Sequence, residues 1–374
     1  MKRHLLDQTP DEWEIGSGPS YQRSILRRWV FAKRAPSFER MTSLPSSLRA
    51  ELAGRYRLRA LRAVRRLENA DGVQKLLWKL DDGEAVESVV IPSEADPGSG
   101  RLTLCLSSQI GCAYRCAFCA SGLLGFRRNL SSGEIVEQLL QAEAIVGRRM
   151  DNLVFMGMGE PLANWDSLLR ALRLITAPWG AAMSPRRITI STSGLVPEIR
   201  RLADQPLAVG LAVSLHAADD ALRSRLMPVN RRYPLPLLLD ACEEYSRKKR
   251  QPVTLEYILL AGVNDSDKEG ARLGRIARRL RAKVNLIPYN RVEGLPWERP
   301  EPERVDRFER LLRAAGCRVT VRRRKGEEIY AACGQLRLIT PGDSPGGGES
   351  VPPSRGTQVL RPPHLLLVDR PKGE

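Results

Sequence analysis

The chain has 374 residues, 42% of them hydrophobic, and a formal net charge of +17. That length holds one large domain or two to three ordinary ones, and that composition excludes wholesale disorder. No apolar run reaches the ~20 residues a transmembrane helix needs, so no membrane role is expected. The start, Met1 to Asp7, meets an acid before any signal-like apolar stretch, which predicts a cytoplasmic protein. Only ten of the 60 basic residues are Lys. An Arg excess of this kind points to a polyanionic partner, RNA or DNA before membrane, because guanidinium forks onto phosphate and stacks on bases.

In chain order, residues 1–65 read as a small helical unit. Gln22 to Lys33 mixes basic and apolar residues at helical spacing, and the spacing resumes through Ser46–Leu52. An Arg-rich helical face suits RNA and suits an ordinary solvated surface equally. From about 66 the period shortens. Leu77–Leu80, an Asp82-Gly83 turn and Ala85–Ile91 predict a hairpin. After a Pro/Gly-rich link, strands are predicted near 101–107, 152–157, 187–192, 208–215, 253–260 and 283–288. Helices are predicted near 132–147, 165–176, 197–203, 235–249, 266–281 and 302–315, the first opened by a Ser131/Glu134 capping box. A last strand is expected near 317–323.

Six strand–helix repeats imply an α/β fold with a parallel sheet and right-handed crossovers, its chemistry at the C-terminal ends of the strands. Periodicity leaves open whether that sheet closes. The Pro/Gly/Ser-rich stretch 341–374 reads as a disordered tail.

Four of the seven Cys fall between 105 and 119; Cys242 and Cys317 match no motif and read as core. Cys112, Cys116 and Cys119 form C-x3-C-x2-C just after a predicted strand. Three thiolates hold a soft metal or an iron–sulfur cluster, and the lack of a nearby fourth ligand leaves one position open. This segment, with Phe118 before the last Cys, resembles the radical S-adenosylmethionine (SAM) enzymes. The resemblance implies a partial (βα)6 barrel and a [4Fe–4S] cluster on those three Cys, with its open iron binding SAM. It also implies SAM contacts at strand ends: Gly159 and Glu160 in Met156–Pro161, Ser191, the run Ser214, Leu215 and His216, and Asn290.

The match narrows further. Thr103–Cys112, Gly125–Leu130 and Ala331–Leu336 resemble the RlmN/Cfr family of RNA methyltransferases, over about residues 20–338. That resemblance implies a domain plan of 1–65 (helical RNA-binding accessory), 66–340 (radical SAM core with the preceding hairpin) and 341–374 (tail). It implies that Cys333 receives a methyl from SAM. A second SAM, cleaved reductively, gives a 5′-deoxyadenosyl radical that activates the S-methyl group for addition to adenine. Cys105 then resolves the protein–RNA link, leaving a Cys105–Cys333 disulfide to be reduced, and Glu87 accepts the adenine proton.

The partners implied are 23S rRNA, tRNA and a flavodoxin-type electron donor, with the enzyme a monomer. Met158-Gly159-Glu160-Pro161 and the helical N-terminal unit favour methylation at adenine C2 over the C8 chemistry of other family members. A radical SAM enzyme with a non-RNA substrate, and an RNA-binding protein with structural zinc, are the other readings. One departure from the family is Glu327-Glu328-Ile329-Tyr330, where Asp-Ile is usual before Ala-Ala-Cys-Gly-Gln-Leu.

Overall fold

The computed structural model describes residues 2–15, 20–93, 100–322, 329–332 and 334–336. Cys333, Glu327, Glu328 and the tail expected at 341–374 lie outside the described residues.

The N-terminal segment is helical only in part. Strand β1 (Arg3–His4) pairs in parallel with β2 (Tyr56–Arg57), and helices α1 (Ser20–Arg27) and α2 (Ser46–Arg55) lie between them. The helix expected over 22–33 is α1 followed by a π-helical turn at Arg28–Ala32. His4 Nε2 meets Glu137 Oε2 at 2.9 Å, both side chains fully buried. Glu137 also accepts from the Ala60 and Leu61 amides at 2.8 and 3.2 Å. One hydrophobic core runs without a break from Leu5 to Leu336, so this segment is packed onto the rest.

Strand β3 (Leu61–Glu68) crosses the boundary expected at 65 and joins the main sheet. Its burial pattern is irregular, with a register shift between Ala63 and Arg65, which hid its period of two. The expected hairpin is β4 (Gln74–Leu80) and β5 (Ala85–Pro92), turned at Gly83 with φ +86°. Strands β3, β4 and β5 run antiparallel onto β6 (Leu102–Cys105). Two short strands, β7 (Gln109–Ile110) and β8 (Arg128–Asn129), bracket α3 (Ala120–Leu123).

The repeats then follow: α4 (Ser132–Val146), β9 (Asn152–Phe155), α5 (Trp165–Thr176), β10 (Ile188–Thr192), α6 (Val196–Asp204) and β11 (Gly210–Ser214). After them come α7 (Asp220–Leu226), α8 (Leu235–Lys249), β12 (Thr254–Leu259), α9 (Asp267–Arg279), β13 (Lys283–Pro288), α10 (Pro302–Ala314) and β14 (Arg318–Val321). The capping box at Ser131/Glu134 is formed. The ten-stranded sheet runs β14-β13-β12-β11-β10-β9-β6-β5-β4-β3. The seven strands from β14 to β6 are parallel, so their C-terminal ends share one rim. β14 and β3 are the two edges, so the barrel is partial and the sheet mixed.

Candidate active site

The three-Cys segment is a loop between β7 and β8. Gly111 has φ +70°, and a Cβ there would overlap the Gly125 carbonyl; the Cys112 amide donates to that same carbonyl at 3.2 Å. Further along, the Ala117 amide donates to Leu226 O at 2.9 Å and the Ala120 amide to Gly334 O at 2.8 Å. The loop is therefore fixed to the end of α7 and to the segment that follows Cys333.

Cys112, Cys116 and Cys119 are half-buried and line one open cavity. Burial, and then the neighbouring thiols, push the Cys116 thiol well above its ordinary value; burial pushes Cys112 up to about 12. Among the described residues no three His, Cys, Asp or Glu side chains converge to hold a single metal ion. Three thiols spread over one cavity wall suit a multi-iron cluster, in which each thiolate takes a different iron.

Strand ends supply the other walls. The turn after β9 carries Gly159, with φ +99° and packed so that a Cβ would lie 2.5 Å from that of Gln109. Glu160 follows, fully enclosed. Its Oε1 accepts from the Leu162 amide at 3.1 Å and its Oε2 from the Ser193 amide at 2.6 Å. Burial raises its pKa against those two bonds. Carboxylate oxygens keep further lone pairs for a ligand ammonium. Ser191, Ser214 and His216 line the same cavity.

His216 sits at φ +56°, a strained conformation for a residue with a side chain. It is held there by three contacts. Its Nδ1 accepts from the Ile258 amide at 3.0 Å, and its carbonyl accepts from Asn264 Nδ2 at 2.8 Å. Its ring stands edge-on to Phe118, 4.6 Å between centroids. Burial, with the Arg223 charge adding to it, lowers its pKa to about 3, so the ring is neutral. A neutral imidazole that accepts at Nδ1 carries its proton on Nε2 and offers a donor there.

Two residues that shape the site escaped the sequence reading. Arg223 of α7 is fully buried and donates to the carbonyls of Leu215 (3.1 Å), Ser193 (2.7 Å) and Ser214 (3.0 Å), and to Asn230 Oδ1 (2.7 Å). Burial lowers its pKa to about 10, which leaves it charged. Glu256 of β12 lines the cavity and accepts from Asn285 Nδ2 at 2.6 Å; burial raises its pKa. Nothing in the sequence singled out Arg223 among 50 Arg, or Glu256 within its strand.

The remaining predicted residues do not line this cavity. The Leu215 side chain is buried outside the lining, and its carbonyl serves Arg223. Asn290 lines a second cavity, with Thr103, Val154, Asn285, Ala331 and Ala332. Cys105 ends β6 and is 7% exposed. It pairs with Val154 on β9 and Val89 on β5, so it shares the barrel's inner face with Thr103 and Val154. Glu87, two residues before Val89, is on the same face and fully buried. Cys242 is buried in α8, whereas the half-buried Cys317 donates to the Gly274 carbonyl at 3.7 Å.

A parallel partial barrel with three cavity-facing thiols after its first parallel strand, and a Gly-Glu turn after the second, defines a radical SAM enzyme. The description "Radical SAM superfamily" matches residues 106–273. A [4Fe–4S] cluster and SAM are the cofactors of that superfamily, and the donor set above fits them.

The chain is 52% identical over 313 residues to a "Probable dual-specificity RNA methyltransferase RlmN" from Akkermansia muciniphila, covering 83% of this chain and 87% of that protein. It is 47% identical to the "Dual-specificity RNA methyltransferase RlmN" of Syntrophobacter fumaroxidans, covering 87% and 94%. A solved radical SAM methyltransferase from Sphaerobacter thermophilus superposes with TM-score 0.85 at 44% identity, covering 90% of this chain and 99% of that one. The chain belongs to the RlmN family of radical SAM RNA methyltransferases. No helix among the described residues is long and apolar enough to cross a membrane.

Proposed function

We propose that this enzyme methylates C2 of an adenosine in 23S rRNA and of an adenosine beside the tRNA anticodon, using Cys333 as a methyl carrier. The observation that carries the reading is the arrangement on the barrel's inner face. Glu87 and Cys105 share that face. Lys75 Nζ, paired with Glu87, donates to the Tyr330 carbonyl at 3.2 Å, three residues before Cys333. The stretch leading into Cys333 thus passes over the predicted base, and Ala331 and Ala332 border the same cavity as Asn290.

Cys112, Cys116 and Cys119 hold the cluster. When bound, the cluster and SAM supply a one-electron reductive cleavage and the transferable methyl. Gly159 lets backbone approach the ligand, and Glu160 accepts from its ammonium. Ser191 and Ser214 serve its hydroxyl and adenine groups, with Leu215, whose amide goes to Glu256 O and whose carbonyl goes to Arg223, behind them; His216 offers Nε2–H, and Asn290 reaches in from the neighbouring cavity. Cys333 carries the methyl as a thioether. Cys105 resolves the covalent link to RNA, and Glu87 removes the adenine proton. A net charge of +17 suits an RNA substrate.

The reading includes the N-terminal 1–65 unit as an RNA platform, a flavodoxin-type donor, a monomeric state and a cytoplasmic setting. Nucleoside mass spectrometry of 23S rRNA and tRNA, after reaction with anaerobic enzyme, SAM and reductant, tests it. 2-Methyladenosine in both RNAs is expected; 8-methyladenosine, or no methylated adenosine, overturns it.

A further inference from the structure

We propose that Lys75 is a positioning residue for Glu87, holding its carboxylate ionised inside the barrel and fixing it relative to the segment that leads into Cys333. The proposal rests on the reading of Glu87 as the proton acceptor.

Both side chains are at most 1% exposed, and Lys75 Nζ lies 2.5 Å from Glu87 Oε1. They sit on adjacent strands, β4 and β5. Lys75 stands opposite Val89, and Glu87 opposite Leu77, one step along the same face. The ammonium has three protons to give. It stands against the carboxylate as an ion pair, and one of its protons goes to the Tyr330 carbonyl at 3.2 Å. A single buried cation therefore ties the base to the chain carrying the methyl-accepting thiol.

A carboxylate enclosed in this way takes up a proton unless a cation stands against it, and a protonated acid cannot accept the adenine proton. Lys75 supplies that cation. Burial lowers its own pKa while Glu87 raises it, and Arg65 works against it. Arg65 stands opposite Leu77 on β3, in the same cross-strand row as Glu87. Cys105, opposite Val89 on β6, is the titratable group on the other side. Lys75 forms a buried ion pair with Glu87.

A buried ion pair that served packing alone would, when broken, lower stability and leave the pH dependence of turnover in place. A pair that sets the ionisation of the base moves the pH profile. The test compares Lys75→Met, Lys75→Gln and Lys75→Arg with Glu87→Gln, all reconstituted anaerobically. Iron content and SAM affinity serve as the check on fold.

In Lys75→Met, RNA methylation near neutral pH is expected to fall about 100-fold, with the acidic limb of the rate profile moved up by about one pH unit or more. Lys75→Arg keeps the cation and is expected to recover much of the rate. Lys75→Gln, which keeps a polar group for Tyr330, should show the same limb shift and decides the matter if the Met variant does not fold. A wild-type profile in folded Lys75→Met or Lys75→Gln, with Glu87→Gln inactive, overturns the proposal. Full activity in Glu87→Gln instead removes the base reading beneath it.

Discussion

Arg223 Nη2 lies 2.7 Å from the Ser193 carbonyl, so a buried cation on α7 holds the turn that follows β10. The same nitrogen reaches the Ser214 carbonyl at 3.0 Å, at the end of β11. One side chain thus binds together two strand ends that both line the cavity. Its Asn230 contact at 2.7 Å completes the fork.

Arg223→Met is expected to take the guanidinium donor from the Ser193 and Ser214 carbonyls and from Asn230 Oδ1, while the Leu215 carbonyl keeps the Ala217 amide at 2.7 Å. The cost is about 3 kcal/mol, by the usual penalty for unmet buried hydrogen bonds. Thermal unfolding of the metal-free protein should show it, and SAM affinity should fall at least about tenfold as the rim loosens. Arg223→Lys keeps the charge without the fork and should sit between the two. Unchanged melting and SAM binding in Arg223→Met would remove this residue from the architecture of the site.

Loss of any one of the three cavity-facing thiols should empty the site. Wild-type enzyme purified without oxygen is expected to carry about four irons per chain and a brown colour. Cys112→Ala, Cys116→Ala and Cys119→Ala should each lose most of the iron and the visible absorption. A variant that kept the full complement would show that its thiol is not a ligand.

The neutral His216 makes stability depend on pH. Its folded pKa, near 3, lies below the ordinary 6.5, so the unfolded chain binds more protons between those values. The contribution is complete above pH 6.5 and is lost as pH falls toward 3. Denaturant unfolding of the metal-free protein should therefore show stability falling over that range, and His216→Asn should flatten the slope. Equal slopes for both proteins would mean that the ring is not held neutral.

Cys105→Ala should accumulate enzyme covalently joined to RNA, seen as a slow band that ribonuclease removes. Multiple turnovers without such a band would take Cys105 out of the resolving role.

Much of the fold was legible because the repeats alternate cleanly between periods of two and 3.6. Helix α8 (Leu235–Lys249) and strand β13 (Lys283–Pro288) fall where the pattern predicts. Strand β3 was not legible. Its Arg62, Arg65 and Arg66 break the alternation, and it is an edge strand whose pairing with β4 depends on a distant hairpin. Helix α7 is seven residues long, too short to show a period.

The site divides along the same line. Residues within contiguous motifs, such as Cys112, Glu160 and His216, stand out because their spacing is local, and these three line one cavity. Arg223, Glu256 and Lys75 do not, because their meaning comes from what packs on them. Lys75 had one signal: a cation followed directly by Leu76, Leu77 and Trp78 inside the strand Gln74–Leu80.

The most direct test of the methyl-carrier claim is mass spectrometry of the tryptic peptide 326–337, from anaerobically purified enzyme incubated with SAM. A gain of about 14 Da localised to the Cys333 sulfur is predicted. Unmodified Cys333 in protein shown to hold its cluster would contradict the account.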